Sequence, residues 1–150
     1  MWSYLKNPQY IAKADSTLRY EWKNYATYSD SFESVVAWSA IALSTTFVRN
    51  GTYSALWADH SKNINVKKTV FPTDWSAFHH MSLWVYTEAP INESITAIFY
   101  AENDATNGTD YYLKNFRLNF TGWYEVKWNK TEFTKSRSPS WGNITSIVFR

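Results

Sequence analysis

The chain has no cysteine, which excludes a disulfide scaffold, a thiolate metal site and a cysteine nucleophile. It has only four glycines in 150 residues, and it shows no phosphate-binding loop, dinucleotide fingerprint or Gly-x-Ser-x-Gly nucleophile elbow. The net charge of +2 is too small for the basic surface that neutralises nucleic-acid phosphates. No apolar run reaches the roughly 18 residues that a spanning helix needs, so we expect no membrane span.

Aromatic residues, by contrast, are abundant: the chain has nine Trp, eleven Tyr and nine Phe. One core of a domain this size does not need so many large rings. We therefore expect some of them to lie on a surface or at an interface.

The segment His80 to Thr87 alternates strictly and predicts a strand with two different faces. One face is aliphatic and suits a core: Met81, Leu83 and Val85. The other mixes aromatic rings, an imidazole and a hydroxyl, which suits stacking on a flat polar ligand such as a sugar ring: His80, Ser82, Trp84 and Tyr86. The segment from Ser94 to Ala101 divides in the same way, with Ala97 and Phe99 toward the core and Ile98 and Tyr100 on the other face.

Short runs of this kind recur along the chain and are separated by turn residues such as Asn50-Gly51, Pro72, Pro90 and Gly122. Nine are predicted: 32–38, 43–48, 53–59, 63–66, 80–87, 94–101, 111–120, 125–129 and 144–150. This spacing is typical of an all-β antiparallel sandwich. We expect residues 1–28 to form a leading arm and residues 29–150 to form the sandwich. The last segment is itself an apolar strand, which indicates a module cut from a longer parent that would supply one more strand.

An ordered set of motifs resembles the N-terminal jelly-roll modules of polysaccharide lyases of the chondroitinase and heparinase type. The resemblance covers Tyr28 to Arg150 and rests on these segments: Ser31-Phe32-Glu33-Ser34, Trp38, Asn50-Gly51-x-x-Ser54-Ala55-Leu56-Trp57, Trp75, Leu83-Trp84-Val85-Tyr86-Thr87-Glu88-x-Pro90, Phe120-Thr-Gly122-Trp123, Ser138-Pro139-x-Trp141-Gly142 and Ile144.

The resemblance implies a galactose-binding-like jelly roll, non-catalytic and attached to an enzyme that degrades an acidic polysaccharide. It also implies a structural calcium ion near Glu33 and the Asn50-Gly51 turn, although the aspartate usual on a final strand is missing. An ordinary edge carboxylate at Glu33 is an equal alternative. We expect the parent protein to be secreted, periplasmic or on the cell surface, with its export signal outside this chain because the first twenty residues lack an apolar block.

Six residues are candidates for carbohydrate binding. Four are aromatic rings that could stack on a pyranose: Trp57, Trp84, Tyr86 and Tyr100. Two are cations that could meet carboxylate or sulfate groups: Arg117 and Lys127. Each ring could instead serve packing, and Trp123 and Trp141 fit that role in the resembled modules. In the run from Trp123 to Trp128, Lys127 shares a face with Trp123 and Glu125.

Two other functions remain open. The aromatic face could dock onto the catalytic domain and bind no sugar. A small stand-alone lyase or hydrolase would need converging carboxylates, for which the candidates are Glu88, Glu93, Glu102 and Asp104.

Adjacent His79 and His80 would point to opposite faces of a strand, which argues against a zinc site. Six Asn-x-Ser/Thr sequons indicate either glycosylation or, as we favour, turns in an Asn-rich β protein.

Overall fold

The computed structural model describes residues 30–58, 64–101 and 110–150, and the predicted arm at residues 1–28 lies outside them. The described residues form ten strands and one short 3-10 helix at Lys130–Glu132. The strands are β1 (Trp38–Ser39), β2 (Ala42–Ser44), β3 (Ser54–Leu56), β4 (Val66–Lys68), β5 (His80–Thr87), β6 (Ser94–Tyr100), β7 (Tyr111–Arg117), β8 (Gly122–Asn129), β9 (Thr134–Ser136) and β10 (Ser146–Phe149). None of these segments is a helix long and apolar enough to cross a membrane.

All strand pairs are antiparallel. Six strands form one sheet in the order β1-β4-β10-β6-β7-β9, while β5 pairs with β8 and β2 pairs with β3. The last strand, β10, lies between β4 and β6 in the interior of the large sheet. Sequence neighbours are therefore often not sheet neighbours, as expected when a chain passes between two layers of a sandwich.

The core lies between the large sheet and the β5–β8 pair. Phe99 of β6 is 4% exposed, and its ring centre lies 5.6 Å from that of Trp75 and 5.4 Å from that of Phe133. Val126 and Trp128 of β8 belong to the same buried cluster. Because residues of both layers meet in one core, the described chain is the antiparallel β-sandwich that the sequence predicts.

The pairing of β5 with β8 fixes which side chains of this layer face inward. Met81 lies opposite Trp128, and Leu83 lies opposite Val126. Val126 and Trp128 belong to the core, and Met81 packs against it, so the alternate positions of both strands face outward. The predicted bounds of β5, His80 to Thr87, agree with the structure at both ends.

Strand β6 also follows its predicted division, with Ala97 and Phe99 in the core. On its other face, however, Ile98 is only 1% exposed, and the neighbouring Val148 of β10 is 5% exposed. The large sheet is thus covered on both faces at this point. Its outward face there resembles a core rather than a binding surface.

A buried ion pair secures the start of the described chain. Asp30 accepts hydrogen bonds from the Lys68 ammonium, from the Trp38 indole Nε1 (2.9 Å) and from the Phe32 amide (3.0 Å). Burial opposes the charge of Asp30, but these donors and the charge of Lys68 outweigh it, so the pKa of the Asp30 carboxyl lies below its ordinary value. The ion pair joins the residues before β1 to β4.

Candidate functional site

The outward-facing side chains of β5 and β8 form one continuous row, which we call the outer strip. It consists of four cross-strand pairs: His80–Asn129, Ser82–Lys127, Trp84–Glu125 and Tyr86–Trp123. The six residue steps from His80 to Tyr86 span about 20 Å along β5. One end of the outer strip is aromatic and the other is polar, and each end has its own geometry.

At the aromatic end, the rings of Tyr86 and Trp123 lie 5.4 Å apart, and Phe47 stacks on Tyr86 at 4.2 Å. Trp84 retains 38% of its exposure and Phe47 retains 37%. Large rings that keep this much exposure, side by side, form the kind of surface that stacks on another flat group.

Phe47 reaches the outer strip because the β2–β3 loop, residues 45–53, crosses over β5. The same loop places the guanidinium of Arg49 over the Trp84 ring, with its central carbon 3.5 Å from the ring centre. This distance is well within the range of a cation–π contact. The loop therefore adds a ring and a cation to the aromatic end.

A carboxylate holds the far end of this loop. Glu33 accepts hydrogen bonds from the amides of Thr52 (3.0 Å) and Tyr53 (3.3 Å). Between these amides and Asn50, Gly51 adopts a φ of 81°, and a β-carbon there would lie 2.1 Å from a Glu33 oxygen. The positive φ angle favours glycine at this position, and a β-carbon would push the Glu33 carboxylate away from the loop amides, which explains the Asn-Gly pair in the sequence.

The polar end contains a depression of about 320 Å³, lined by His80, Lys127, Trp128, Asn129 and Glu132. The Lys127 ammonium lies 2.9 Å from a carboxylate oxygen of Glu125. Hydrogen bonding from the Asn129 amide, with help from Lys114, lowers the pKa of the Glu132 carboxyl below its ordinary value. Both signs of charge are therefore present at this end, together with amide and hydroxyl groups that suit sugar hydroxyls.

Of the six predicted sugar-binding residues, the structure brings three together on the outer strip: Trp84, Tyr86 and Lys127. Trp57 directly follows β3 and is partly buried. Tyr100 and Arg117 belong to the large sheet, where Tyr100 contacts Tyr111 at 5.6 Å and Arg117 pairs with Ser94. The six predicted residues therefore do not share one face.

Three residues that the sequence did not nominate belong to the site: Phe47, Arg49 and Trp123. Trp123 carried a usable signal, because it shares alternation with Lys127. No sequence signal identifies Phe47 and Arg49, since only the path of the β2–β3 loop brings them to β5.

The predicted calcium residues lie close together in the chain's fold, but their side chains are occupied. Both Glu33 oxygens accept the Thr52 amide, and the Asn50 amide group pairs with Arg49. No cluster of three His, Cys, Asp or Glu side chains occurs among the described residues. This donor set does not fit the six to eight oxygens of a typical calcium site. The calcium ion stays a prediction, which thermal unfolding in calcium chloride and in EDTA would test.

The chain was compared with curated proteins, with solved structures and with models of protein families. No curated protein matches it. Among solved structures, it is similar to the family 11 carbohydrate-binding module of the cellulosomal cellulase Lic26A-Cel5E of Clostridium thermocellum, with 15% identity, 82% of each chain covered and a TM-score of 0.55. At this identity the likeness concerns the fold, and it confirms the predicted jelly-roll sandwich. The family model described as "Lyase, N terminal" matches residues 19–138. The chain therefore belongs to the family of N-terminal domains of lyases.

Proposed function

We propose that this domain is a non-catalytic module that binds an acidic polysaccharide on its outer strip and so holds an attached lyase near its substrate. The observation that carries the proposal is the outer strip itself, where the aromatic end with exposed Trp84 continues along the same two strands into an end that borders a depression. The family supports a lyase context, and the likeness to a carbohydrate-binding module supports a fold suited to this role.

The chemistry of the outer strip suits a sugar chain. The CH-rich side of a pyranose packs against aromatic surface such as that of Phe47 and the exposed part of Trp84 that Arg49 leaves uncovered, while hydroxyl groups need nearby donors and acceptors. Ser82, Lys127 and Asn129 provide such groups further along the same strands. A shallow contact of this kind gives weak affinity for one site, which is sufficient for a module that is covalently attached to its enzyme.

Isothermal titration calorimetry with chondroitin sulfate, heparin, alginate and a neutral β-glucan tests the proposal. Wild type should bind at least one acidic glycan, and Trp84→Ala should weaken that binding about tenfold, since a lost aromatic contact is worth roughly 1 kcal/mol or more. Tyr124→Ala is the matched control because Tyr124 is also exposed on β8, but it lies off the outer strip and stacks on Phe120.

Equal weakening by both substitutions would remove the outer strip as the site. Absence of binding to all four glycans by wild type would contradict the proposal and favour the second function, a domain that docks onto its catalytic partner without binding sugar.

A further inference from the structure

We propose that Arg49, lying on the Trp84 ring, is the residue that binds the carboxylate or sulfate group of the acidic glycan. This inference rests on the proposed function and assigns its preference for acidic sugars to one side chain. That side chain belongs to the β2–β3 loop rather than to the strands of the outer strip.

The first argument is the charge balance at the site. The Lys127 ammonium is already paired with Glu125 at 2.9 Å, and the Glu132 carboxylate is paired with Lys114 at 3.3 Å. Within residues 30–58, 64–101 and 110–150, Arg49 has no carboxylate at ion-pair distance. Among the described residues, the unbalanced charge beside the aromatic end is therefore that of the Arg49 guanidinium, which makes it a better anion receptor than Lys127.

The second argument is the orientation of the guanidinium. Its face is used against Trp84 at 3.5 Å, and one of its nitrogens, Nη1, donates to the Asn50 amide oxygen at 2.8 Å when that amide is turned to satisfy its neighbours. A guanidinium has five N–H donors in one plane. Stacking occupies the face of this plane and leaves further donors at its edge, where a carboxylate or sulfate can accept two hydrogen bonds at once.

The third argument is that the loop is held at two places around Arg49. On one side, Phe47 stacks on Tyr86 at 4.2 Å. On the other, Glu33 accepts the Thr52 and Tyr53 amides. A side chain positioned before the ligand arrives loses less conformational entropy on binding. Arg49 is thus pre-positioned at the aromatic end, where a stacked sugar would present its acidic substituent.

The test uses chondroitin sulfate and heparin, each beside a preparation that is both carboxyl-reduced and desulfated (and N-acetylated for heparin), and alginate beside its carboxyl-reduced form. Wild type should bind an acidic form more tightly than the neutral counterpart. Arg49→Gln should lose at least tenfold more affinity for the acidic form than for the neutral form, because a charge-assisted hydrogen bond contributes only to the former. Arg49→Lys should recover part of the loss, since it restores the charge but not the two-pronged geometry.

Arg117→Gln is the matched control, because it removes an exposed arginine of the large sheet and leaves the same net charge as Arg49→Gln. Its acidic-glycan affinity should stay within twofold of wild type at 150 mM salt, where distant charges are screened. Circular dichroism confirms the fold of each variant.

The outcomes separate the two proposals. Wild type that binds none of the preparations contradicts the proposed function and this inference with it. Wild type that binds, with an Arg49→Gln variant that keeps its affinity or loses the acidic and neutral forms equally, leaves the proposed function intact and overturns the role of Arg49. In the second case Arg49 would only hold the loop against Trp84.

Discussion

Aromatic residues gather in two regions of this molecule, and the two regions use them differently. In the core, Trp75 and Phe99 are 5% and 4% exposed, and most neighbouring rings meet edge-on or tilted. On the outer strip and its loop, Trp84 and Phe47 are 38% and 37% exposed, and their contacts are a cation and a stacked ring. Residue type alone does not distinguish these roles; the surroundings of each ring do.

The two regions also differ in the surroundings of their polar groups. In the core, the Trp75 indole donates to the Pro72 carbonyl at 2.5 Å, and the Tyr112 hydroxyl donates to the Pro139 carbonyl at 2.7 Å. These internal partners are what a buried polar group requires. At the outer strip, by contrast, the side chains of Arg49 and Lys127 are exposed to solvent. The core is complete by itself, whereas the outer strip is suited to a partner.

The largest expected effect is that of Phe99→Ala. This substitution removes a ring at the centre of the core cluster and should lower the free energy of unfolding by about 3–5 kcal/mol. Urea denaturation followed by tryptophan fluorescence measures it. A loss below about 1 kcal/mol would mean that the core tolerates this cavity and that the contrast between the two regions is smaller than the burial indicates.

A slightly smaller effect is expected for Asp30→Asn, which removes the carboxylate paired with Lys68. Lys68 is 7% exposed at its side chain, and breaking a buried ion pair on one side should cost about 3 kcal/mol at neutral pH. Because the pKa of folded Asp30 lies below its ordinary 3.8, the pair stabilises the fold fully above that value. Its contribution decreases as the pH falls through 3.8 toward the folded pKa.

Urea denaturation at a series of pH values from 7 to 3 tests this linkage. The difference in unfolding free energy between wild type and Asp30→Asn should be constant near neutral pH and should shrink below about pH 4. A difference that stays constant down to pH 3 would show that the Asp30 carboxyl does not titrate in this way.

The smallest effect on stability is expected for Trp84→Ala. Exposed Trp84 contributes a cation–π contact and partial burial, so its loss should cost about 1 kcal/mol or less. The same substitution is expected to weaken glycan binding, so stability and binding should separate here and not at Phe99. Loss of several kcal/mol in urea denaturation of Trp84→Ala would place this ring with the core aromatics.

Much of the fold follows from sequence periodicity. His80 to Thr87 alternates clearly enough to give both bounds of β5, and the alternation of Ala97 and Phe99 correctly identifies the core face of β6. Strand β9 was missed because Thr134-Lys135-Ser136 carries no apolar signal, and it is a strand only through its pairing with β7. Tertiary pairing overrides local preference at such edges.

The candidate site was less predictable than the fold. Alternation places Trp84 and Tyr100 on non-core faces, but it does not reveal that they lie in different sheets. Strand order is set by long-range packing, which no local pattern encodes. For the same reason, the approach of Arg49 to Trp84 could not be predicted, since it depends on how the β2–β3 loop crosses the sandwich.

The Glu33–Gly51 contact has a consequence for how binding preference could change within this architecture. The positive φ angle of Gly51 strains any other residue at this position, and a β-carbon there would displace the Glu33 carboxylate that accepts the loop amides, so substitutions at Gly51 should disturb the loop. Positions 47 and 49 carry no backbone restriction of this kind, since neither φ angle is positive, although the ring of Phe47 also holds the loop on Tyr86. The loop therefore combines a constrained turn at Gly51 with two nearby positions whose side chains can vary. Substituting other residues for Phe47 and Arg49 is the simplest route to a domain of the same fold that prefers a neutral sugar chain.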